Sequence, residues 1–231
     1  MSSPSHEDKR GILERHFLLG KLNAAEIDAL VTYSRVERYA AGDEIFAKGA
    51  PGHSMMAVLR GIVRISSISL AGKEIVFNLL SEGEIFGEIA LLDGGERSAD
   101  ATAVTDCELL VLSRRNLMPL LENHADICLM LIKILCQRLR RTSEQVEDVL
   151  FRHLESRIAK ALLQLAERSG RPDLHGASLD LHLSQRELAN IVGSSRESVN
   201  KQLQVWHRAG LIDLAKGAIV IRDAAAIARL V

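Results

Sequence analysis

The sequence lacks the marks of a secreted, metal-bound or membrane-embedded protein. It carries three cysteines, Cys107, Cys128 and Cys136, with no C-x-x-C pair and no His/Cys ligand spacing. That sparse set argues against a disulfide framework, a metal site and an iron–sulfur sensor, and predicts three buried free thiols. No stretch reaches the roughly 18 unbroken apolar residues of a membrane span, and the longest candidate is interrupted at Lys133. Met1 to Arg10 is polar and charged, without the apolar stretch of a signal peptide, so a cytoplasmic location is expected. Net charge is nearly absent too, at −1 over 231 residues. That balance conceals an asymmetry. From Phe151 onward there are 12 Lys+Arg against 8 Asp+Glu, and before it 17 against 22, so a mildly basic second half follows an acidic first half. Such a division suits a sensor joined to a reader of polyanions.

With 231 residues, 47% of them hydrophobic, the chain has enough apolar material for one large or two ordinary domains. The joint between them is a heptad seam. Cys128, Ile132, Leu135, Leu139, Thr142, Val146, Val149 and His153 alternate spacings of four and three, which predicts a helix with one narrow apolar stripe and a parallel homodimer as its simplest partner. Three regions are expected: a β domain with N-terminal helices over 1–122, the dimerisation helix and hinge over 123–153, and a domain of short helices with a small wing over 154–231.

Ahead of the seam, a helix is expected over Glu7 to His16 and a second one from Asn23, with a capping box to Glu26. Short runs such as Glu44 to Ala47, Met55 to Leu59, Ile62 to Ile65, Glu74 to Phe77 and Leu109 to Leu112 then alternate with glycines near every tenth residue. This is the pattern of an all-β roll, barrel or sandwich. One connection breaks it. Phe86 to Ala99 has helix formers after Gly87, the pair Gly94-Gly95, and then Arg97-Ser98 entering the next strand. A short helix facing an arginine and a hydroxyl is a phosphate cradle, and Glu88 at its mouth can accept bonds from sugar hydroxyls. The plainer alternative is a surface loop in which Arg97 pairs with Glu88 or Glu96.

After the seam, Leu154, Ile158, Leu162 and Leu165 predict a helix ending at Gly170, a linker follows over Ser169 to Ser178, and Leu181 to Leu183 reads as a short strand. Ser184 opens a helix with a capping box to Glu187, and Ser194 is expected to open a second with a box to Glu197. Ala189, Gly193 and Val199 have helix-turn-helix spacing: a small residue at the crossing, a glycine at the turn, an apolar anchor under the second helix. Val199, Leu203 and Trp206 point inward, which leaves Ser195, Arg196, Glu197, Asn200 and Lys201 for base edges. Gln185, Arg186, Arg208 and Lys216 are phosphate contacts or solvated charges. Ala215-Lys216-Gly217 between two apolar runs reads as a wing, and Asp223 to Leu230 as a closing helix.

Gly-Glu-x-Ala-Leu followed by Arg-Ser-Ala, with nine positions from Glu88 to Arg97, resembles the phosphate-binding cassette of cyclic-nucleotide-binding domains. With the β pattern around it, the long helix carrying Arg140 to Glu144, and the helix-turn-helix, the chain resembles the Crp/Fnr family of bacterial transcription regulators over roughly residues 10 to 222. The resemblance implies an α+β fold: an N-terminal cyclic-nucleotide-binding β-roll, a long dimerisation helix and a C-terminal winged helix-turn-helix. It implies Arg97 and Ser98 on a cyclic phosphate, Glu88 on the ribose 2′-hydroxyl, the Gly87 and Ile89 amides nearby, and Thr142 with Ser143 at an adenine base, one of these reaching across from the partner subunit. The implied ligand is cyclic AMP rather than cyclic GMP. The implied partners are a second copy of the chain, double-stranded DNA with an inverted repeat, and RNA polymerase.

In that family the Ser-Arg-Glu-x-Val run reads a G·C-containing half-site, which places Arg196 and Glu197 on bases. Lys201 stands where the family's cyclic AMP receptor proteins carry arginine; lysine keeps the charge and loses the fork. Thr142 fits the ligand role physically, since a hydroxyl in an apolar seam needs a hydrogen-bond partner, although its own helix backbone can also supply one. Two alternatives stay open: a regulator of the same fold answering another ligand, and one that binds DNA constitutively. An enzyme using Glu88 with Asp93 or His153 as acid and base is disfavoured, because no nucleophile motif accompanies them.

Overall fold

The computed structural model describes Arg10 and residues 23–168, 184–215 and 218–231. The expected helix over Glu7 to His16 (apart from Arg10), the linker over Ser169 to Ser178, the strand over Leu181 to Leu183 and Lys216 lie outside the described residues. Two compact units emerge, one of Met1–Ile68 with Phe77–Arg140, the other of Ser69–Val76 with Arg141–Val231.

In the first unit, α1 (Ala24–Tyr33) opens with the expected box: the Asn23 amide donates to Glu26 Oε2 at 2.9 Å and the Glu26 amide to Asn23 Oδ1 at 3.0 Å. Eight short strands follow: β1 (Arg35–Tyr39), β2 (Glu44–Phe46), β3 (Ser54–Arg60), β4 (Val63–Ile68), β5 (Glu74–Leu80), β6 (Ile85–Phe86), β7 (Asp100–Ala103) and β8 (Cys107–Ser113). They form two four-stranded sheets, β1-β8-β3-β6 and β2-β7-β4-β5. Between β6 and β7 lies α2 (Glu88–Asp93), and after β8 come α3 (Arg114–Asn123) and the long α4 (Ala125–Phe151).

The apolar runs of β3 and β8 are continuous because both faces are covered. Met55 and Ala57 on β3, with Leu110 and Leu112 on β8, join a core completed by Ile27, Leu117, Leu121, Ile127 and Leu131 of the helices. The alternate residues Met56, Val58, Leu109 and Val111 face the second core with Val63, Leu80, Phe86 and Ala101. Strand side chains alternate faces, so a central strand buried on both sides loses its polar residues. β1, β6 and β7 do not stand out as separate runs in the sequence; their pairing partners stabilise them.

Helix α4 has two apolar faces. Ile127 and Leu131 are buried in its own unit, whereas Ile132, Leu139, Val146 and Val149 of the heptad stripe are each at least 46% exposed. The thiols correct the expectation of three buried cysteines. Cys107 is buried, Cys128 is half-buried and Cys136 is exposed, because Cys136 lies outside the face that packs on the sheets.

In the second unit, α5 (Leu154–Arg168), α6 (Gln185–Val192), α7 (Arg196–Arg208) and α8 (Ala224–Ala228) accompany the antiparallel wing β9 (Ile212–Ala215) and β10 (Ala218–Ile221). Ile158, Leu162, Leu188, Ala189, Val199, Leu203, Trp206 and Ile219 form one core. No helix among the described residues is long and apolar enough to cross a membrane.

Candidate nucleotide cleft and DNA-reading helix

Strand β6 delivers the chain to α2 through Gly87, whose φ of +76° belongs to the left-handed region. A Cβ there would lie 2.5 Å from Arg97 Nη1, so this position needs glycine for space as well as conformation. α2 is a six-residue helix, stopped by Gly94 at φ +77° with its amide donating to Ala90 O at 3.1 Å. Gly52 lets the preceding turn close on it, since a Cβ there would fall 2.2 Å from the Ala90 Cβ. Arg114, at the start of α3, donates to the Leu91 and Leu92 carbonyls at the other end of the helix. The sequence placed a helix in this connection; the structure adds the clamps at both ends.

Two charged residues are buried in the wall so made. Glu88 is 0% exposed and Arg97 5%. The plain alternative, an ion pair between Arg97 and Glu88 or Glu96, does not form among the described residues. Instead Arg97 Nη1 donates to the Ser54 and Gly87 carbonyls at 2.7 and 3.0 Å, Nη2 donates to Ser54 Oγ at 3.0 Å, and the guanidinium lies 4.1 Å from the Phe46 ring centroid. Burial pulls its pKa below the usual arginine value, with the nearby Glu88 carboxylate acting in the opposite sense. Glu88 Oε1 accepts from Arg138 Nη1 of α4, and Arg138 Nη2 donates to the Ile85 carbonyl.

Each of the two buried charges keeps one atom in reserve. Glu88 Oε2 and Arg97 Nε are buried without a partner. Both residues line one cleft of about 60 Å³, together with Phe46, Gly87, Ile89, Ser98 and Arg138. Buried polar atoms are nearly always satisfied, so an unmet acceptor and an unmet cationic donor among the residues of one cleft mark it as the candidate site. Gly87, Glu88, Ile89, Arg97 and Ser98 are thus brought together as expected. Thr142 and Ser143 are not among the cleft's lining residues; both stand exposed on α4. Arg138, Ser54 and Phe46 were not foreseen. Arg138 had one legible signal, a basic residue one helical turn before Thr142.

In the second unit the helix-turn-helix spacing forms as expected. Ser184 and Glu187 make a reciprocal capping box, and Gly193 turns the chain at φ +64° with its amide on Ala189 O. The second cap is a correction. Ser195, not Ser194, caps α7, accepting from the Ser198 amide at 3.2 Å, and no box to Glu197 is made. The turn after Gly193 uses Ser194 as a link whose amide donates to Ala189 O at 3.0 Å, which moves the extended capping conformation one residue on. Ser195 is therefore occupied as a cap and also donates to Ser198 Oγ at 2.9 Å. Arg196, Glu197 and Lys201 are exposed, Gln185 is half-buried at the start of α6, and Asn200 Oδ1 is buried without a partner. Trp206 Nε1 and Gln202 Nε2 both donate to Glu155 Oε1 of α5, at 3.1 and 3.2 Å, which fixes the reading helix on its support.

Residues 36–124 match the cyclic nucleotide-binding domain family, and residues 156–230 match the Crp-like helix-turn-helix domain family. The chain belongs to the Crp/Fnr family of transcription regulators. It is similar to the CRP-like cAMP-activated global transcriptional regulator of Mycobacterium tuberculosis, at 31% identity over 94% of this chain and 97% of that one. It is also similar to the cyclic AMP receptor protein of Thermus thermophilus, at 35% identity over 87% of this chain and 89% of that one. Among solved structures it resembles the c-di-GMP-responsive global regulator CLP of Xanthomonas campestris, with a TM-score of 0.77 and 26% identity, covering 87% of this chain and all of that one. A Crp/Fnr regulator couples a cyclic-nucleotide-binding domain to a DNA-binding helix-turn-helix, and the family is one of regulators, not enzymes.

Proposed function

We propose that this chain is a homodimeric, cyclic-AMP-responsive transcription regulator of the cytoplasm that reads an inverted repeat in double-stranded DNA. The pair of unmet buried atoms, Glu88 Oε2 and Arg97 Nε on one cleft, carries the ligand half of this reading. A cyclic phosphate supplies the anion for Arg97, with Ser98 beside it, and the ribose 2′-hydroxyl supplies the donor for Glu88. At about 60 Å³ the cleft is far below the roughly 300 Å³ of an ordinary ligand pocket. It suits the phosphate and one edge of the sugar, and the base then lies outside it, where hydroxyls such as those of Thr142 and Ser143 favour the N6 amino group of adenine over guanine.

The dimer rests on the stripe Ile132, Leu139, Val146 and Val149, which a lone protomer leaves exposed. Arg196 forks onto guanine and Glu197 accepts from cytosine, while Asn200, Lys201 and Gln185 complete the contact set toward bases and phosphates and Ser195, its hydroxyl taken as the cap, supports the start of the helix. RNA polymerase is the expected partner once the operator is occupied. A second reading keeps the fold and changes the nucleotide, since the Xanthomonas campestris relative is named for its response to c-di-GMP. Calorimetric titration of the ligand-free protein with cyclic AMP, cyclic GMP and c-di-GMP decides between them. Saturable binding of cyclic AMP at one site per protomer, tighter than either competitor, is the expected result.

A further inference from the structure

Arg97 has five N–H donors in a rigid plane. The two on Nη1 are taken by the Ser54 and Gly87 carbonyls, and one on Nη2 by Ser54 Oγ. The donors left are the Nε hydrogen, buried without a partner, and the second Nη2 hydrogen beside it. Those two lie along one edge of the guanidinium and form a ready two-pronged fork.

That edge is the one the surroundings leave available. The backbone of Arg97 is pinned to the turn before β3, its amide donating to Ala50 O at 2.8 Å and its carbonyl accepting from the Gly49 amide at 2.9 Å. Phe46 lies against the guanidinium 4.1 Å away, and the Gly87 carbonyl accepts from the Nη1 side at 3.0 Å. What remains is rotation of the plane over the ring, and the two Ser54 oxygens oppose it. Ser54, the first residue of β3, grips the far end of the guanidinium with its carbonyl and its hydroxyl together, much as a carboxylate would.

We propose that Ser54 is a positioning residue for the anion: its hydroxyl holds Arg97 so that the Nε–Nη2 edge faces the cleft. This rests on the cyclic-nucleotide reading of the cleft and adds to it a residue outside the Glu88 to Ser98 connection. Without the hydroxyl, Nη2 has an unmet donor at the wrong end of the plane, and the guanidinium turns toward whatever acceptor is nearest, so the fork is no longer presented.

Threonine and valine have nearly the same shape and differ by a hydroxyl, and both suit a strand position. The test compares Ser54→Thr with Ser54→Val in the full chain, with Arg97→Ala as a control, by calorimetric titration with cyclic AMP and by thermal unfolding of the ligand-free protein. Ser54→Thr should bind within about threefold of the parent and Ser54→Val about tenfold more weakly, as loss of one hydrogen bond to a charged group implies. The two should unfold within a few degrees of each other. Equal affinities for the two variants overturn the proposal, whether both match the parent or both fall. Should either variant fail to fold, Ser54→Ala and Ser54→Cys serve instead, both predicted to bind about tenfold more weakly than the parent, and parent-like binding by either overturns the proposal. If Arg97→Ala binds like the parent, the cyclic-nucleotide reading of the cleft fails instead, whatever the Ser54 variants do.

Discussion

Arg138 of the long helix closes on Glu88 of the β domain, and the carboxylate it meets is 1% exposed in its side chain while Arg138 keeps 26%. The pair is lopsided: one member is sealed in and the other reaches it from the rim. A buried carboxylate left alone is costly, whereas an arginine left alone at a rim hydrates.

Arg138→Ala should therefore destabilise the ligand-free β domain by about 2–3 kcal/mol, a fall in its thermal midpoint of roughly 4–10 °C. Glu88→Gln in the Arg138→Ala background should recover more than half of that loss, because a neutral amide does not need the cation. A calorimetric scan of the two single variants and the double variant checks this coupling. Strictly additive losses would mean that the two side chains do not act as a pair.

Arg97→Ala should weaken cyclic AMP binding by about 1.5–3 kcal/mol, more than Ser98→Ala does, because it removes the cationic fork whereas Ser98 is an exposed hydroxyl at the cleft wall. Titration calorimetry on the two variants measures the difference. Equal and small effects would remove the phosphate from this cleft.

Much of this site was legible in the chain because its chemistry is local. Glu88, Arg97 and Ser98 lie within one connection, and the glycines that punctuate it announce its turns. Ser54 and Phe46 were not legible, and Arg138 only as a basic residue one turn before Thr142, because each reaches Arg97 or Glu88 through tertiary packing over tens of residues of chain. The helix-turn-helix was visible for the same local reason, through Ala189, Gly193 and Val199. Its second cap shifted from Ser194 to Ser195 because two adjacent serines offer equivalent caps and only the turn geometry chooses. The strands β6 and β7, of two and four residues, carry too little pattern of their own and depend on the partners that sheet closure brings.

On the reading helix, Arg196→Ala should cost about 1–3 kcal/mol on a duplex with the right guanine and almost nothing on one with that base pair changed. Arg186, exposed on the preceding helix, should behave otherwise: Arg186→Ala should weaken all duplexes alike and lower the salt slope by about one. Anisotropy titrations at several salt concentrations on the two duplexes separate the roles.

The long helix is one continuous element from Ala125 to Phe151, with Arg138 at the nucleotide cleft and the exposed stripe Leu139, Val146 and Val149 along it. A ligand that donates to Glu88 Oε2 meets the same carboxylate that Arg138 holds through Oε1, and so bears on the helix that carries the dimer stripe. It can shift the equilibrium between two packings only by as much as it prefers one of them. Binding free energies are reciprocal, so if cyclic AMP tightens binding to an inverted-repeat duplex by some factor, the duplex must tighten cyclic AMP binding by the same factor. We expect a coupling of about 1–3 kcal/mol, measured by DNA titrations with and without cyclic AMP and by cyclic AMP titrations with and without DNA. Leu139→Glu, which places charge in the stripe, should yield monomers by sedimentation, retain cyclic AMP binding at the Arg97 cleft, and lose preference for the inverted repeat over a single half-site. A Leu139→Glu protein that stays dimeric would place the dimer interface elsewhere. A parent protein whose DNA affinity ignores cyclic AMP would leave both modules intact and remove the connection between them.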